Sequence, residues 1–169
     1  MALPNGISWL HCAGAGLILI GLILHIVGLA TPNWTTISTP RATITNGLFS
    51  VCLDTCVYIP AIDRIGEWST AGAFAILALM PGLLAFYLSC LHIDRHIHGR
   101  PENSYTKSGT LATGITAILC VFLSCFVYGA GVHKKIAEVF DADIGYSFIM
   151  SAVGGVVFFL GCLLFYTTV

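Results

Sequence analysis

Cysteine and histidine are the side chains of this chain best suited to form a disulfide, bind a metal or transfer a proton; there are seven and six of them. Cys52 and Cys56 are three residues apart in a polar segment, where two chemistries fit. The pair forms a disulfide in an oxidising compartment, or it supplies two thiolates of a zinc site. No His and no second Cys pair stands near it in that segment, so we predict a disulfide.

Three of the histidines lie close together in the sequence. His92, His96 and His98 have an i, i+4 and i+6 spacing, which a metal cluster on a helix can use. Asp94 and Arg95 stand among them, which is typical of a solvated helix end, and we predict such an end. His25 lies in a long uncharged stretch, and we predict a neutral, hydrogen-bonded packing role for it.

The charged residues divide the chain into stretches long enough to cross a membrane. The seven Lys and Arg and the eight Asp and Glu residues lie in three islands, 41–67, 94–107 and 134–143. The uncharged stretches are 1–40, 68–93, 108–133 and 144–169. A bilayer core takes about 20 apolar residues of helix, and a charge at its centre costs about 2.5–3.5 kcal/mol. Four such stretches predict four transmembrane helices.

One membrane domain, 1–169, uses nearly the whole chain, because 57% of the residues are hydrophobic and 9% are charged. We predict helices over about 8–30, 69–91, 109–131 and 145–166. The loops 31–68, 92–108 and 132–144 are too short for a separate soluble domain. A net charge of −1 without a basic run gives no sign of nucleic-acid binding. The expected partners are membrane lipids and other membrane proteins, including further copies of this chain.

Small residues recur every seven positions in each predicted helix. The four series are Gly14, Gly21, Gly28; Ala71, Ala78, Ala85; Thr110, Ala117, Ser124, Gly131; and Ser147, Gly154, Gly161. In a bilayer, small residues let helix backbones approach closely. A seven-residue repeat specifies a left-handed supercoil. We therefore predict a left-handed four-helix bundle.

The orientation in the membrane follows from the cysteines. An even number of spans places both termini and the loop 92–108 on one side. That loop has three Lys and Arg residues against four outside it, so the positive-inside rule gives no preference. A disulfide between Cys52 and Cys56 requires an oxidising compartment. We predict a plasma-membrane protein with extracellular loops 31–68 and 132–144 and cytosolic termini.

The first loop predicts a small antiparallel sheet. Two stretches rich in β-branched residues, 35–39 and 41–45, are separated by Pro40, which suits a turn. The dipeptide Asn46-Gly47 favours a hairpin. The remaining predicted strands are 48–52 and 56–59.

Further positions have motifs for anchoring, modification or recognition. Trp34 follows the first helix, where the interfacial aromatic belt lies, and Asn33-Trp34-Thr35 is an N-glycosylation sequon. Cys90, at the end of the second helix, is a candidate for palmitoylation. Thr167-Thr168-Val169 has the Thr-x-Val form that PDZ domains bind, although few residues separate it from the membrane. The charged residues of the third loop are candidates for an extracellular contact: Lys134, Lys135, Glu138, Asp141 and Asp143.

Catalytic chemistry has no visible residues in this sequence. No Asp, Glu, Lys or Arg lies within the predicted spans to form a proton relay or substrate site. No half-helix repeat suggests a transporter. We expect no enzyme activity, no cofactor and no metal.

Taken together, the first-loop residues form a motif: Trp34, then Gly47-Leu48-Phe49, then Cys52 and Cys56. It resembles the W-GLW-C-C motif of the claudin superfamily. That group includes claudins, peripheral myelin and epithelial membrane proteins, and calcium-channel gamma and related auxiliary subunits. The entry to the loop, 31–34, and Arg64 before the second helix also resemble this pattern. Gly145-Tyr146-Ser147-Phe148 is closer to the gamma-subunit and myelin-protein branches.

The resemblance implies a left-handed four-helix bundle capped by an extracellular antiparallel β-sheet, with Trp34 anchoring the sheet and Cys52 bonded to Cys56. The chain departs from the pattern in four ways. Phe49 stands where the family usually has Trp, and the intervals between the cysteines and from Trp34 to Gly47 are short. The last helix is followed by almost no tail, whereas claudins carry one.

Two non-enzymatic functions stay open at this point. The first is an auxiliary or organising subunit of a larger membrane complex such as an ion channel. The second is a claudin-type junction or adhesion protein that shapes a paracellular barrier at cell–cell junctions. The short loops and the motif that opens the last helix favour the first function.

Overall fold

The structure, a computed structural model, describes residues 8–40, 42–53, 55–59, 66–100 and 104–168. Its helices are α1 (Trp9–Ala30), α2 (Gly66–Ile97), α3 (Ser104–Val127), α4 (Lys134–Ala137) and α5 (Tyr146–Thr167). A π-helical turn, Tyr128–His133, joins α3 to α4 without a break. By length and composition, α1, α2, the continuous α3–α4 unit and α5 could each cross a membrane. The chain therefore has the four long apolar helices of the predicted membrane protein.

Two of the long helices extend beyond their predicted ends. α2 continues to Ile97 rather than to 91, and α3 with its continuation runs from Ser104 to Ala137 rather than from 109 to 131. Charges mark where the membrane ends, but a helix continues into water without difficulty. At 1.5 Å per residue, a helix of 32 residues spans about 48 Å against a bilayer core of about 30 Å. In a bilayer of that thickness, α2 and the continuous α3–α4 unit would therefore project out of the membrane.

α1 and α5 pack at backbone contact along their predicted small residues. A Cβ atom at Gly21 would lie 2.6 Å from the Gly154 carbonyl oxygen, and one at Gly28 would lie 2.7 Å from that of Ser147. No side chain fits into that space, so the two small-residue series face each other across this pair of helices. Around the bundle, α5 also packs on α3, α3 on α2, and α2 on α1.

The α2–α3 pair uses the other two series of small residues. Ala71, Ala78 and Ala85 are buried on α2, and Ala117 and Ser124 are buried on α3. The Ser124 hydroxyl donates a hydrogen bond to the Ala71 carbonyl oxygen across the interface, at 2.7 Å. Small side chains and a shared hydrogen bond are the contacts that hold helices together in lipid, where hydrophobicity does not.

Five short antiparallel strands form one sheet with the order β4-β3-β2-β1-β5. They are β1 (Thr35–Ser38), β2 (Thr43–Asn46), β3 (Ser50–Cys52), β4 (Cys56–Tyr58) and β5 (Ala142–Ile144). The predicted antiparallel sheet of the first loop is confirmed. The segment before α5 adds a fifth strand beside β1, which we did not predict.

The turn between β2 and β3 differs from the predicted Asn46-Gly47 hairpin. Asn46 ends β2, and the Gly47 N–H donates to the Ser50 carbonyl oxygen at 2.9 Å, so the turn is longer. Among the described residues, Gly99 alone has a positive φ. A Cβ atom at Gly47 would lie 2.6 Å from Pro32 Cα. Close approach to Pro32, rather than turn geometry, therefore requires this glycine.

Candidate interaction site

Trp34 lies at the centre of the junction between the sheet and the helix bundle. Its side chain is fully buried, and its Nε1–H donates to the Gly28 carbonyl oxygen at 2.7 Å. The rings of Tyr128 and Phe148 meet it edge to face, with centroids at 5.0 and 5.5 Å. Buried tryptophan is stable where its N–H finds an acceptor, as here. Trp34 therefore joins the start of β1 to three helical segments, which are α1, the π-helical turn and α5. It does not lie at the lipid interface.

The π-helical turn directs two side chains at one strand. The Tyr128 hydroxyl donates toward Thr35 Oγ1 at 3.1 Å and toward the Asn46 carbonyl oxygen at 3.2 Å. His133 Nδ1 lies 3.1 Å from the same Thr35 oxygen. Residues five apart on an α-helix point about 140° away from each other. The i→i+5 geometry of the π turn brings Tyr128 and His133 to one side, so the continuation of α3 supports the sheet.

The segment before β1 caps the start of α5. The Ser147 N–H donates to the Asn33 carbonyl oxygen at 2.9 Å, and the Asn33 N–H donates back to Ser147 Oγ at 3.2 Å. The Gly145 N–H donates to the Trp34 carbonyl oxygen at 3.0 Å. The first N–H groups of a helix have no partner within it, and residues 33 and 34 supply such partners. The two sequence segments that resemble family motifs at 31–34 and 145–148 therefore bind each other.

The Gly47-Leu48-Phe49 segment attaches the β2–β3 turn to α2. The Trp68 Nε1–H donates to the Gly47 carbonyl oxygen at 2.9 Å. Leu48 is fully buried in the core cluster that includes Trp34, and Phe49 packs against the same cluster. We did not predict the contact of Trp68, although its place in the first turn of α2 put it within reach of the loop.

Cys52 and Cys56 form the predicted disulfide. They lie opposite each other on β3 and β4, with their Cα atoms 4.0 Å apart. The bond therefore ties the end strand β4 to the sheet. The two residues that follow, Val57 and Tyr58, are exposed on β4.

The candidate modification sites lie in different parts of the fold. Asn33 is half-buried, and its Oδ1 accepts a hydrogen bond from the Thr36 hydroxyl at 3.0 Å. Cys90 is exposed on α2. Glycosylation of Asn33 and palmitoylation of Cys90 stay predictions.

The predicted PDZ-binding end begins within a helix. Thr167 is the last residue of α5, and its hydroxyl donates to the Leu163 carbonyl oxygen at 3.0 Å. Lys107 Nζ donates to the Thr168 carbonyl oxygen at 3.0 Å. Strand addition to a PDZ domain would require this end to unwind. Two of the predicted residues, Arg64 and Val169, lie outside the described residues.

The prediction that His92, His96 and His98 form a solvated helix end is wrong for His92. Its side chain is buried against the rings of His11 and Phe165, and its Nδ1 lies 2.8 Å from Thr106 Oγ1. α2 extends far enough for His92 to pack inside the bundle. His98 is exposed beside Asp94 at 3.2 Å, as a helix end predicts. In the described part of the chain, no group of three or more His, Cys, Asp or Glu side chains is arranged for a metal ion.

His25 is hydrogen-bonded through both ring nitrogens. Nε2 lies 3.0 Å from the Ala75 carbonyl oxygen, which only accepts, so Nε2 carries the proton. Nδ1 then accepts from the Ser151 hydroxyl at 2.9 Å. This is the neutral packing role predicted for it, and it links α1 to α2 and α5. A cavity of about 10 Å³ beside it is no larger than one water.

An apolar surface lies along β5, and we call it the β5 surface. Four large apolar side chains within eight residues of the chain are exposed: Val139, Phe140, Ile144 and Tyr146. They extend from the end of α4 to the first residue of α5. Clustered exposed apolar residues mark sites of protein or membrane contact. In the sequence, the β5 surface is marked by apolar residues interleaved with the charged residues of the third island, 134–143.

The comparisons with known proteins add no family. No protein-family model matches the sequence, and no curated protein matches it. The case for a function therefore depends on the anchored sheet and on its exposed surfaces.

Proposed function

We propose that this chain is a claudin-superfamily protein that acts as an auxiliary or organising subunit of a larger membrane complex, such as an ion channel. The observation that carries the proposal is the β5 surface. It is exposed and apolar, and it ends at Tyr146, the first residue of a helix long and apolar enough to cross a membrane. A protein in the same membrane would contact a surface in that position.

Support for the family comes from the role of the motif residues. Trp34 and Gly47 attach the sheet to the bundle, and the Cys52–Cys56 disulfide ties the end strand β4 to the sheet. A motif whose residues all hold the sheet together or in place is a stronger resemblance than a set of scattered matches. Fold resemblance alone does not specify a function, so the functional argument depends on the exposed surface.

The tip of the sheet supports a lateral contact over one with an opposing membrane. The β1–β2 turn begins with Ser38, Thr39 and Pro40, and Thr39 closes it through hydrogen bonds with Ala42 at 2.5 and 3.1 Å. This turn is polar and short. The β5 surface, by contrast, is apolar, and a neighbour in the same membrane would reach it.

A subunit of this kind acts by binding two states of its partner with different affinities. A rigid sheet makes that difference larger, because a surface that adapts to both states favours neither. Trp34 and Tyr128 hold the sheet at a fixed position on the helices. A difference of about 1.4 kcal/mol between the two states shifts their ratio tenfold.

The orientation belongs to the same proposal: the sheet is extracellular and both termini are cytosolic. The disulfide supports it, because such bonds persist outside the cytosol. Ser38 and Ser104 are exposed at opposite ends of the molecule. We expect a membrane-impermeant maleimide to label Ser38→Cys on intact cells and Ser104→Cys only after permeabilisation, relative to the unsubstituted chain. The reverse pattern would contradict the orientation.

Native purification tests the proposed function. A tagged full-length chain is extracted from its own tissue in mild detergent, and the proteins that stay bound in stoichiometric amounts are identified by mass spectrometry. We expect a larger membrane protein that is lost from Phe140→Ser and kept by Tyr105→Ser, since both residues are exposed but only Phe140 belongs to the β5 surface. Recovery of the chain alone, at normal surface levels, would contradict the proposal.

A junction protein is the second candidate function. The exposed side chains of Val57 and Tyr58 on β4 favour it, because this edge of the sheet is also available for contact. Enrichment at contacts between two expressing cells, but not between an expressing and a non-expressing cell, would support a junction. That result without a stoichiometric partner would replace the auxiliary function.

A further inference from the structure

We infer that β5 is a docking strand: an extended segment of the larger partner adds to its free edge as a sixth strand, with a Lys or Arg opposite Asp143. The inference rests on the proposed function and specifies the chemistry of the partner. It follows from the direction of the backbone groups of β5, from the apolar side chains around it and from its charge.

The backbone groups of β5 alternate in direction. The Ser38 N–H donates to the Asp141 carbonyl oxygen at 3.1 Å, and the Gly145 N–H donates to the Trp34 carbonyl oxygen at 3.0 Å. In an antiparallel pair, every second residue faces the neighbouring strand. Asp141, Asp143 and Gly145 therefore face β1. Ala142 and Ile144 direct their N–H and carbonyl groups away from it.

The outward edge of β5 is open to a partner strand. β5 is the end strand of the sheet, and among the described residues it pairs with β1 alone. Asp143 and Ile144 are exposed, and Ala142 is half-buried. Natural sheets protect such edges with proline or with charged residues, especially Lys. Asp143 is the one charged residue of β5. Its carboxylate therefore decides which charge a partner strand can carry opposite it.

The side chains next to the edge favour a strand with apolar residues at alternate positions. Ile144 lies on the same face of the sheet as Thr35, and Ala142 lies on the same face as Ile37. A strand added beside β5 would place every second side chain on that face, against Ile144. The β5 surface flanks the site at both ends. Peptide recognition by strand addition uses such backbone bonds for affinity and alternate side chains for specificity.

The charge of Asp143 indicates which residue the partner strand carries opposite it. Asp143 is exposed on the opposite face of β5, and Asp141, two residues before it, is exposed as well. The nearby cation Lys135 is paired with Glu67 at 2.6 Å. A cross-strand residue opposite Asp143 would have its Cβ about 4.5–5.5 Å away, close enough for a charge pair. A Lys or Arg fits that position, and an acidic residue does not.

A second copy of this chain is a poor occupant for the same reason. In one antiparallel register, Ala142 and Ile144 both hydrogen-bond to the second copy. That register pairs Ala142 of each copy with Ile144 of the other. That register places the two Asp143 side chains directly opposite each other. Like charges at opposite positions destabilise a strand pair. The partner is therefore a different protein with a basic strand.

Binding of two seven-residue peptides to the purified full-length chain tests this inference. The peptides are Ser-Thr-Val-Lys-Val-Thr-Ser and the same sequence with Glu in place of Lys. We expect the Lys peptide to bind roughly tenfold more tightly, because attraction is exchanged for repulsion at one cross-strand pair. Asp143→Lys should reverse the preference, whereas Glu138→Lys, an exposed acidic position outside the strand, should leave it unchanged. Amide hydrogen exchange should slow at Ala142 and Ile144 when the Lys peptide binds.

Equal binding of the two peptides, or a preference that Asp143→Lys does not reverse, would overturn the inference. A purified dimer that dissociates on Ala142→Pro would overturn it too, by placing a second copy on β5. Failure of the proposed function would give a different result, because native purification would then recover no larger partner. A larger partner that Asp143→Lys retains at normal levels would keep the proposed function and remove β5 as its docking strand.

Discussion

At the scale of single residues, Trp34 connects the start of the sheet to three helical segments. Trp34 is the residue immediately before β1. It is joined to α1 by a hydrogen bond and to Tyr128 and Phe148 by ring contacts. The sheet contributes to function only if its position on the helices is fixed. The proposed lateral contact therefore depends on this buried side chain, although no partner would touch it.

Trp34→Phe is expected to destabilise the protein by about 1–3 kcal/mol, because the ring is largely kept while the Gly28 carbonyl oxygen loses its donor. The measurement is the unfolding midpoint in detergent, together with surface delivery. Trp9→Phe is the matched control. Trp9 is half exposed, and its substitution should change stability by less than about 0.5 kcal/mol. Equal effects at the two positions would contradict the anchoring role of Trp34.

The sequence predicted some of these residues and missed others for physical reasons. Cys52 and Cys56 are close in sequence, so their pairing needed no knowledge of the fold. Trp34 was placed at the lipid interface, because its burial is created by Tyr128 and Phe148 from distant segments. His92 was placed in water for a similar reason, since its partners belong to other helices.

At the scale of elements, the α1–α5 pair is the tightest contact in the bundle. Gly21→Ala would place a methyl group 2.6 Å from the Gly154 carbonyl oxygen, so the helices must separate. We expect a loss of about 1–3 kcal/mol, the usual cost of overpacking. Gly16 has nothing within 4 Å of its Cβ position, and Gly16→Ala should be neutral or stabilise by up to about 1 kcal/mol. Unfolding in detergent measures both, and equal stabilities would refute the glycine contact.

The disulfide acts on one element, the edge strand β4. It closes a small loop, with a sequence separation of 4, so its entropic contribution is about 2 kcal/mol. Replacing both Cys52 and Cys56 by Ser should loosen the first loop, increase its cleavage by protease and reduce delivery to the surface. Cys90→Ser, at an exposed unpaired cysteine, serves as control. Unchanged protease resistance would show that the sheet does not need the bond.

Helices and strands differed in how far the sequence predicted them. Four uncharged stretches were sufficient to predict four membrane helices, since a charge in lipid is costly. Their ends were less predictable, because charged residues such as Lys134 and Lys135 continue a helix in water. The first-loop strands followed from β-branched residues. β5 has the sequence Ala-Asp-Ile, which carries no local strand signal, and its pairing with β1 depends on the folded bundle.

At the scale of the whole molecule, a bundle of helices that could cross a membrane carries a sheet whose end strands, β4 and β5, have exposed side chains. The helices contact one another through small residues, and the motif residues attach the sheet to them. The cavity beside His25 has room for about one water, so the exposed surfaces are the stronger candidates for binding. We propose that a molecule of this kind works by being held beside another protein.

The mass of the native assembly tests that claim most directly. The chain is extracted from its own membrane with a surrounding disc of lipid, without detergent, and the mass of each particle is measured after subtraction of the lipid. A subunit of a larger complex predicts particles whose protein mass exceeds any small multiple of this chain and contains a second protein in a fixed ratio. Particles that contain this chain alone, as one copy or several, would contradict the account.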